Sequence, residues 1–148
     1  MDQEAFFRKL VDFTAAVHQV KHELTKDLPL GSVTPVQYGI LEYIAVHQPV
    51  TLSEISDCQH MSMPNTSREL KKLTEKNLCE KSIAAEDQRK QYIRLSPEGQ
   101  RMMDDIFRRI HSRFEERIRT VPEEGLKAID RAMDVLRAQL FDTSYAKK

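Results

Sequence analysis

Residues 51–77 read TLSEISDCQHMSMPNTSRELKKLTEKN, and this stretch decides the fold. Thr51 followed three residues later by Glu54 is the pattern in which two side chains satisfy the free amides of a helix start, so a short helix is expected to about Cys58. Ser62 followed by Met63 and Pro64 opens another, because proline is tolerated in a first turn whose amides have no helical partner. That helix is expected to stop near Asn77, asparagine being the best non-glycine residue for the left-handed turn that ends a helix. Two helices joined by a turn at Gln59 to Met61 make a helix-turn-helix, in which the second helix offers its N-terminal residues to base edges.

Upstream, Thr34-Pro35-Val36-Gln37 repeats the start signal for a helix running to about Val46. Before it, Phe6, Leu10, Phe13, Val17, Val20 and Leu24 recur at steps of four and three, the seam of a helix that packs against another helix, closed by Pro29 and Gly31. Downstream, Leu78 to Ala84 and Gln91 to Leu95 flank the charged tip Ala85-Glu86-Asp87-Gln88-Arg89-Lys90, and Ile93 and Leu95 alternate with Tyr92 and Arg94. These are the marks of a hairpin with a long loop. Ser96-Pro97-Glu98 then caps a helix with an apolar stripe of Met102, Met103, Ile106, Phe107, Ile110, Phe114 and Ile118. Thr120-Val121-Pro122-Glu123 opens a last helix with Leu126, Ile129, Met133, Leu136 and Leu140 expected inward. The expected fold is mainly α with a small β-hairpin wing: a winged helix-turn-helix over 34–96, flanked by helical dimerisation regions at 1–30 and 97–148.

The composition fits this class. The chain has 148 residues, 23 basic and 23 acidic groups for a net charge of zero, and only four Gly and six Pro. A chain of this size can build a core without disulfide or metal staples. Its apolar runs are short and its N-terminus lacks the basic start and apolar block of a secretory signal, so a cytoplasmic protein with no membrane contact is expected. The neutral total hides a division: residues 1–60 hold 4 basic and 8 acidic groups, 61–94 hold 8 and 5, and 95–148 hold 11 and 10. The positive middle suits an anionic partner met by one surface, although a solvated helix face gives the same count. The sequence has no Gly-rich phosphate loop, nucleophile elbow or metalloprotease signature, so no enzyme and no cofactor are expected.

On the recognition helix, 62–76, Thr66, Leu70 and Leu73 share the expected core face. Pro64, Asn65, Arg68 and Lys72 then face out, with Ser67 and Lys71 at the margins and Ser62 at the start. Asn pairs with adenine and Arg with guanine through two hydrogen bonds each in the major groove, while Lys71 and Lys72 suit phosphates. At the wing, 84–91, Asp87 stands two residues before Arg89 and can hold its guanidinium extended for a narrow minor groove, with Lys90 beside it. The plain alternatives are an ordinary polar helix face and a tip ion pair of no consequence.

Read together, Thr34-Pro35-Val36-Gln37 and Leu41, Leu52-Ser53-Glu54-Ile55, Ser62 to Leu73, Asp87-Gln88-Arg89 and Leu95-Ser96-Pro97-Glu98-Gly99 resemble the MarR (multiple antibiotic resistance regulator) family pattern in order and spacing. The resemblance implies a homodimeric bacterial transcription factor, usually a repressor, on a pseudo-palindromic site in double-stranded DNA. It implies that Arg89 enters the minor groove, that Asp87 positions it, and that Asn65, Ser67 and Arg68 face the major groove. The chain departs from the pattern at Asn77, where Gly is usual, and at Pro64 and Glu69. The seams of the first and last helices independently invite a second subunit, which would set two recognition helices about 34 Å apart, although the seams could instead close on each other.

The same resemblance implies release from DNA by a small aromatic effector, for which His18, His22, Tyr38 and Tyr43 are the candidate lining residues; each type is more often a packing residue. His18 and His22, at i and i+4, have a metal-binding spacing, but no neighbouring ligand in sequence completes a set, so no metal is assigned. Cys58 and Cys79 form no CxxC pair, and the nearest residues to Cys58, Asp57, Gln59 and His60, offer at most one cation to activate it. The alternatives to a ligand-responsive repressor are a winged-helix module that grips an acidic protein, and a redox- or metal-responsive regulator.

Overall fold

The computed structural model describes residues 1–83 and 91–142. The chain divides into two compact units, Met1–His111 and Ser112–Lys148.

The first unit begins with α1 (Gln3–Thr25), α2 (Pro35–His47), α3 (Leu52–Gln59) and α4 (Met63–Glu75). The start signals act as expected at α2, where Gln37 N donates to Thr34 Oγ1 and Thr34 N donates to Gln37 Oε1, both at 3.2 Å. At α3 half of that box forms: Glu54 N donates to Thr51 Oγ1 at 3.2 Å, but the Glu54 carboxylate accepts from the Thr51 hydroxyl instead of its amide. Helix α1 is capped by Asp2, a start the sequence reading did not identify, whose carboxylate accepts from the amides of Glu4 and Ala5.

Two strands follow, β1 (Cys79–Ile83) and β2 (Gln91–Leu95), paired antiparallel with Cys79 opposite Leu95 and Ile83 opposite Gln91. The expected alternation holds on β2, where Ile93 and Leu95 are buried and Arg94 is exposed. Val50 forms an isolated antiparallel bridge to β2: its amide donates to the Ile93 carbonyl at 3.0 Å and its carbonyl accepts from the Ile93 amide at 2.7 Å. Ser96 caps α5 (Pro97–Arg117), its hydroxyl accepting from the Gly99 amide at 2.9 Å.

The core gathers Ile40, Leu41 and Ile44 from α2, Ile55 from α3, Leu70 and Leu73 from α4, Ile93 and Leu95 from β2, and Met103 and Ile106 from α5. Helix α1 buries none of its residues, so Phe6, Phe13 and Val17 of its seam stay 40% exposed or more.

The second unit holds the end of α5, then α6 (Glu123–Leu136) continued by a wider π-helical turn, Arg137–Phe141. Helix α6 starts at Pro122 with no side-chain cap. The spacing of its stripe predicts an inward face, and the structure leaves most of that face open. Leu126 and Leu136 are half-buried, while Ile129, Met133 and Leu140 are exposed, because periodicity reports which side of a helix is apolar and not whether the same chain covers it.

Candidate nucleic-acid interface

Helix α4 is fixed from within and decorated from without. Thr66, Leu70 and Leu73 are buried, as their spacing predicts. Thr66 Oγ1 donates to the Ser62 carbonyl at 2.8 Å and lies 3.3 Å from Ser56 Oγ, which itself donates to the Met61 carbonyl at 2.7 Å. These bonds tie the end of α3 to the start of α4. The turn between them passes through His60 in the left-handed conformation at φ 54°, which ends α3.

Ser62, Pro64, Asn65, Ser67, Arg68, Lys71 and Lys72 are all exposed, so the structure brings the expected major-groove and phosphate residues onto one helix surface. Ser62 Oγ accepts from the Asn65 amide at 3.2 Å, and Pro64 sits in the first turn, where it removes no helical hydrogen bond. Asn65 Oδ1 accepts from the Arg68 guanidinium, so the two base-reading candidates hold each other. Lys72 Nζ lies 3.4 Å from Glu69 Oε1.

A network absent from the sequence reading supports this helix from α2. Gln37, buried at the first turn of α2, donates from Nε2 to Glu69 Oε2 at 3.0 Å, and its Oε1 also accepts from Lys76 Nζ at 2.7 Å. Lys76 Nζ reaches the Ser32 carbonyl at 2.8 Å as well. The Gln37 hydrogen bond, with the Lys72 pair behind it, holds the Glu69 carboxyl below the usual carboxylate range. Only the capping half of Gln37's role has a local sequence signature, since Glu69 is 32 residues away.

Asp87, Arg89 and Lys90 lie outside the described residues. The strands that lead to them are held across the hairpin by Arg94 Nε and Glu80 Oε1 at 2.8 Å.

The four candidate effector residues have different surroundings. His18 and His22 are exposed on α1. Tyr38 is buried, and its hydroxyl donates to Glu42 Oε2 at 2.9 Å, while the other Glu42 oxygen pairs with Lys21 of α1. Burial, and then the Glu42 charge, pushes the Tyr38 pKa up. Tyr43 is half-buried, with its ring 4.6 Å from that of His47. Its pKa is raised by burial and then by the negative groups at Glu54, Cys58 and Asp57. An open depression along α1, lined by Glu4, Phe7, Arg8, Val11, Asp12 and Ala15, includes none of the four. Among the described residues no group of three or more His, Cys, Asp or Glu side chains could hold a metal ion.

Residues 32–90, which contain this helix and its supports, match the MarR family profile. This segment is similar to the MarR family. An uncharacterized HTH-type transcriptional regulator of Staphylococcus aureus is 37% identical over 70 residues, 47% of this chain and 48% of that protein. The chain thus spans about half the length of the curated relatives it matches. Among solved structures, Staphylococcus aureus MarR in complex with salicylate and kanamycin aligns with a TM-score of 0.72 at 22% identity, covering 95% of this chain and 96% of that one. A MepR mutant from Staphylococcus aureus bound to an oligodeoxyribonucleotide aligns at 0.57 and 19% identity, covering 95% and 99%. At such identities these two structures show the fold alone, mostly helical with a two-strand antiparallel hairpin.

Proposed function

We propose that this chain is a sequence-specific DNA-binding transcriptional regulator. It acts as a homodimeric, ligand-responsive repressor on a pseudo-palindromic operator, with α4 in the major groove and the wing in the minor groove. The observation that carries the reading is the surface of α4 inside the MarR-family segment: Asn65, Ser67, Arg68, Lys71 and Lys72 are exposed on a helix anchored by buried Thr66, Leu70 and Leu73. The matched Staphylococcus regulators are of the HTH type, and one structural neighbour was solved on DNA. Asp87, Arg89 and Lys90 are assigned to the wing contact by their sequence pattern.

A second subunit is favoured by the apolar side chains left exposed on α1 and α6, which suit a partner of the same kind. A small aromatic effector is favoured by the salicylate-bound neighbour. The reading is of a binding protein with no catalytic step. No helix among the described residues is long and apolar enough to cross a membrane, and a DNA partner would place the protein in the cytoplasm.

The test is a titration against duplex DNA from the chain's own upstream region, in a salt series and beside scrambled competitor, with Arg68→Ala and Arg89→Ala as paired variants. Tight, sequence-preferring and salt-sensitive binding weakened by both substitutions is the expected result. Absence of any preference, with capture of an acidic protein by the same surface, would transfer the reading to a protein-binding winged helix.

A further inference from the structure

Glu69 is an acidic side chain on α4 to which the DNA-reading assignment gives no task. It sits between Arg68 and the Lys71–Lys72 pair, in the segment where basic groups outnumber acidic ones, and its position departs from the MarR pattern. Its carboxylate is not loose. Gln37 Oε1 is occupied by the Thr34 amide and the Lys76 ammonium, which fixes the amide so that its NH2 side faces Glu69 Oε2 at 3.0 Å. The remaining oxygen, Oε1, is directed at Lys72 Nζ, 3.4 Å away. The Glu69 side chain is 23% exposed and the Lys72 side chain 57%.

We propose that Glu69 is a specificity-determining residue: a carboxylate anchored by Gln37 that holds Lys72 back from indiscriminate phosphate capture, leaving Asn65 and Arg68 a larger share of the binding energy. The proposal rests on the DNA-binding reading above. Phosphate contacts by lysine are blind to sequence and supply most non-specific affinity. Exposed ion pairs are usually weak because two flexible side chains must be ordered together. In this pair Gln37 has already ordered one of them, so Lys72 must leave a fixed anion to reach a phosphate. The same anion repels any phosphate that approaches it.

The experiment measures binding of the full chain to a mixed-sequence duplex between about 50 and 200 mM salt, for wild type, Glu69→Gln, Lys72→Gln and the double variant. Glu69→Gln keeps an acceptor for Gln37 and removes only the charge. It is expected to steepen the salt slope by about 0.9 per phosphate newly engaged, an extra loss of about 3.5-fold per contact over that fourfold rise in salt. The double variant is expected to match Lys72→Gln alone. An unchanged slope in Glu69→Gln, or a steep slope that survives in the double variant, overturns the proposal. Should Glu69→Gln fail to fold, Lys72→Gln decides: a slope change well below 0.9 per subunit supports the held lysine, and a full 0.9 refutes it. A wild type that shows no salt-dependent binding to any duplex defeats the DNA reading itself, an outcome distinct from these.

Discussion

The carbonyl oxygen of Leu78 stands 2.0 Å from where a β-carbon on Gly99 would be, with the Leu78 carbonyl carbon at 2.9 Å. The same carbonyl accepts from the Ser96 amide at 3.0 Å, so the entry to β1 and the first turn of α5 are in backbone contact. No rotamer can relieve an intrusion between two backbones. Gly99→Ala is therefore expected to lose about 3 kcal/mol of stability, the upper end of overpacking effects, in denaturant unfolding. Gly39 is the control: its added β-carbon would meet Gln59 Oε1 at 2.7 Å, the far end of a flexible side chain. Gly39→Ala is expected to change stability by less than about 1 kcal/mol, since the helix preference for alanine offsets the displaced contact. Equal losses in the two variants would refute this account of Gly99.

Asn77 ends α4 in the left-handed conformation at φ 61°. Its amide donates to the Thr74 carbonyl at 2.9 Å and the Leu78 amide to the Leu73 carbonyl at 3.0 Å, the paired bonds of a Schellman stop, with Leu73 and Leu78 both buried. Where the MarR pattern that the chain resembles has glycine, Asn77 contributes a bond of its own, Nδ2 to Glu98 Oε2 at 2.9 Å. Asn77→Ala is expected to lose about 1–2 kcal/mol from left-handed strain, whereas Asn77→Gly, which exchanges that bond for an unstrained turn, should stay within about 1 kcal/mol of wild type. Thermal melts of the two variants decide it.

Much of this was legible in the sequence because the signals are local. Capping residues at Thr34, Thr51 and Ser62, the Asn77 stop and the Ile93–Leu95 alternation each determine their own neighbourhood. The exposed surface of α4 followed from placing Thr66, Leu70 and Leu73 inside. Long-range polar partners were not legible. Nothing near Gln37 announces Glu69 or Lys76, and nothing in the single residue Val50 announces its pairing with Ile93. The stripe on α6 misled for a related reason, since covering an apolar face requires a partner that the helix's own sequence does not name.

The two cysteines should differ sharply in reactivity. Cys79 is buried at the start of β1, and burial pushes its thiol up to about 12, whereas Cys58 is exposed at the end of α3. Native protein at neutral pH is expected to take up maleimide at Cys58 alone, with Cys79 labelled only after denaturation and Cys58→Ser abolishing native labelling. A folded pKa above the ordinary 9.0 means the native state keeps a proton that the unfolded state releases. The stability this contributes is full below pH 9 and falls away as pH rises toward 12. Cys79→Val should accordingly show a shallower alkaline loss than wild type, and rapid native labelling of Cys79 would contradict its burial.

Glu69 carries the opposite sign. Its folded pKa lies below the ordinary 4.5, chiefly through the Gln37 hydrogen bond and then through Lys72 and Lys76. In that range the native state binds fewer protons than the unfolded state, so the contribution is present above pH 4.5 and is lost as pH falls through the folded value. Glutamine mimics the protonated acid. Wild type and Glu69→Gln should therefore differ in denaturant midpoint at pH 7 and converge as pH drops below 4.5. Other carboxylates with lowered pKa values, such as Asp105 beside Arg109, titrate alike in both proteins and cancel in the comparison. Gln37→Leu removes the leading cause and should narrow the pH 7 difference between glutamate and glutamine at position 69. A difference that stays constant from pH 7 to the acid limb would mean that the carboxylate charge contributes nothing through this network, and that Gln37 acts only as the cap of α2.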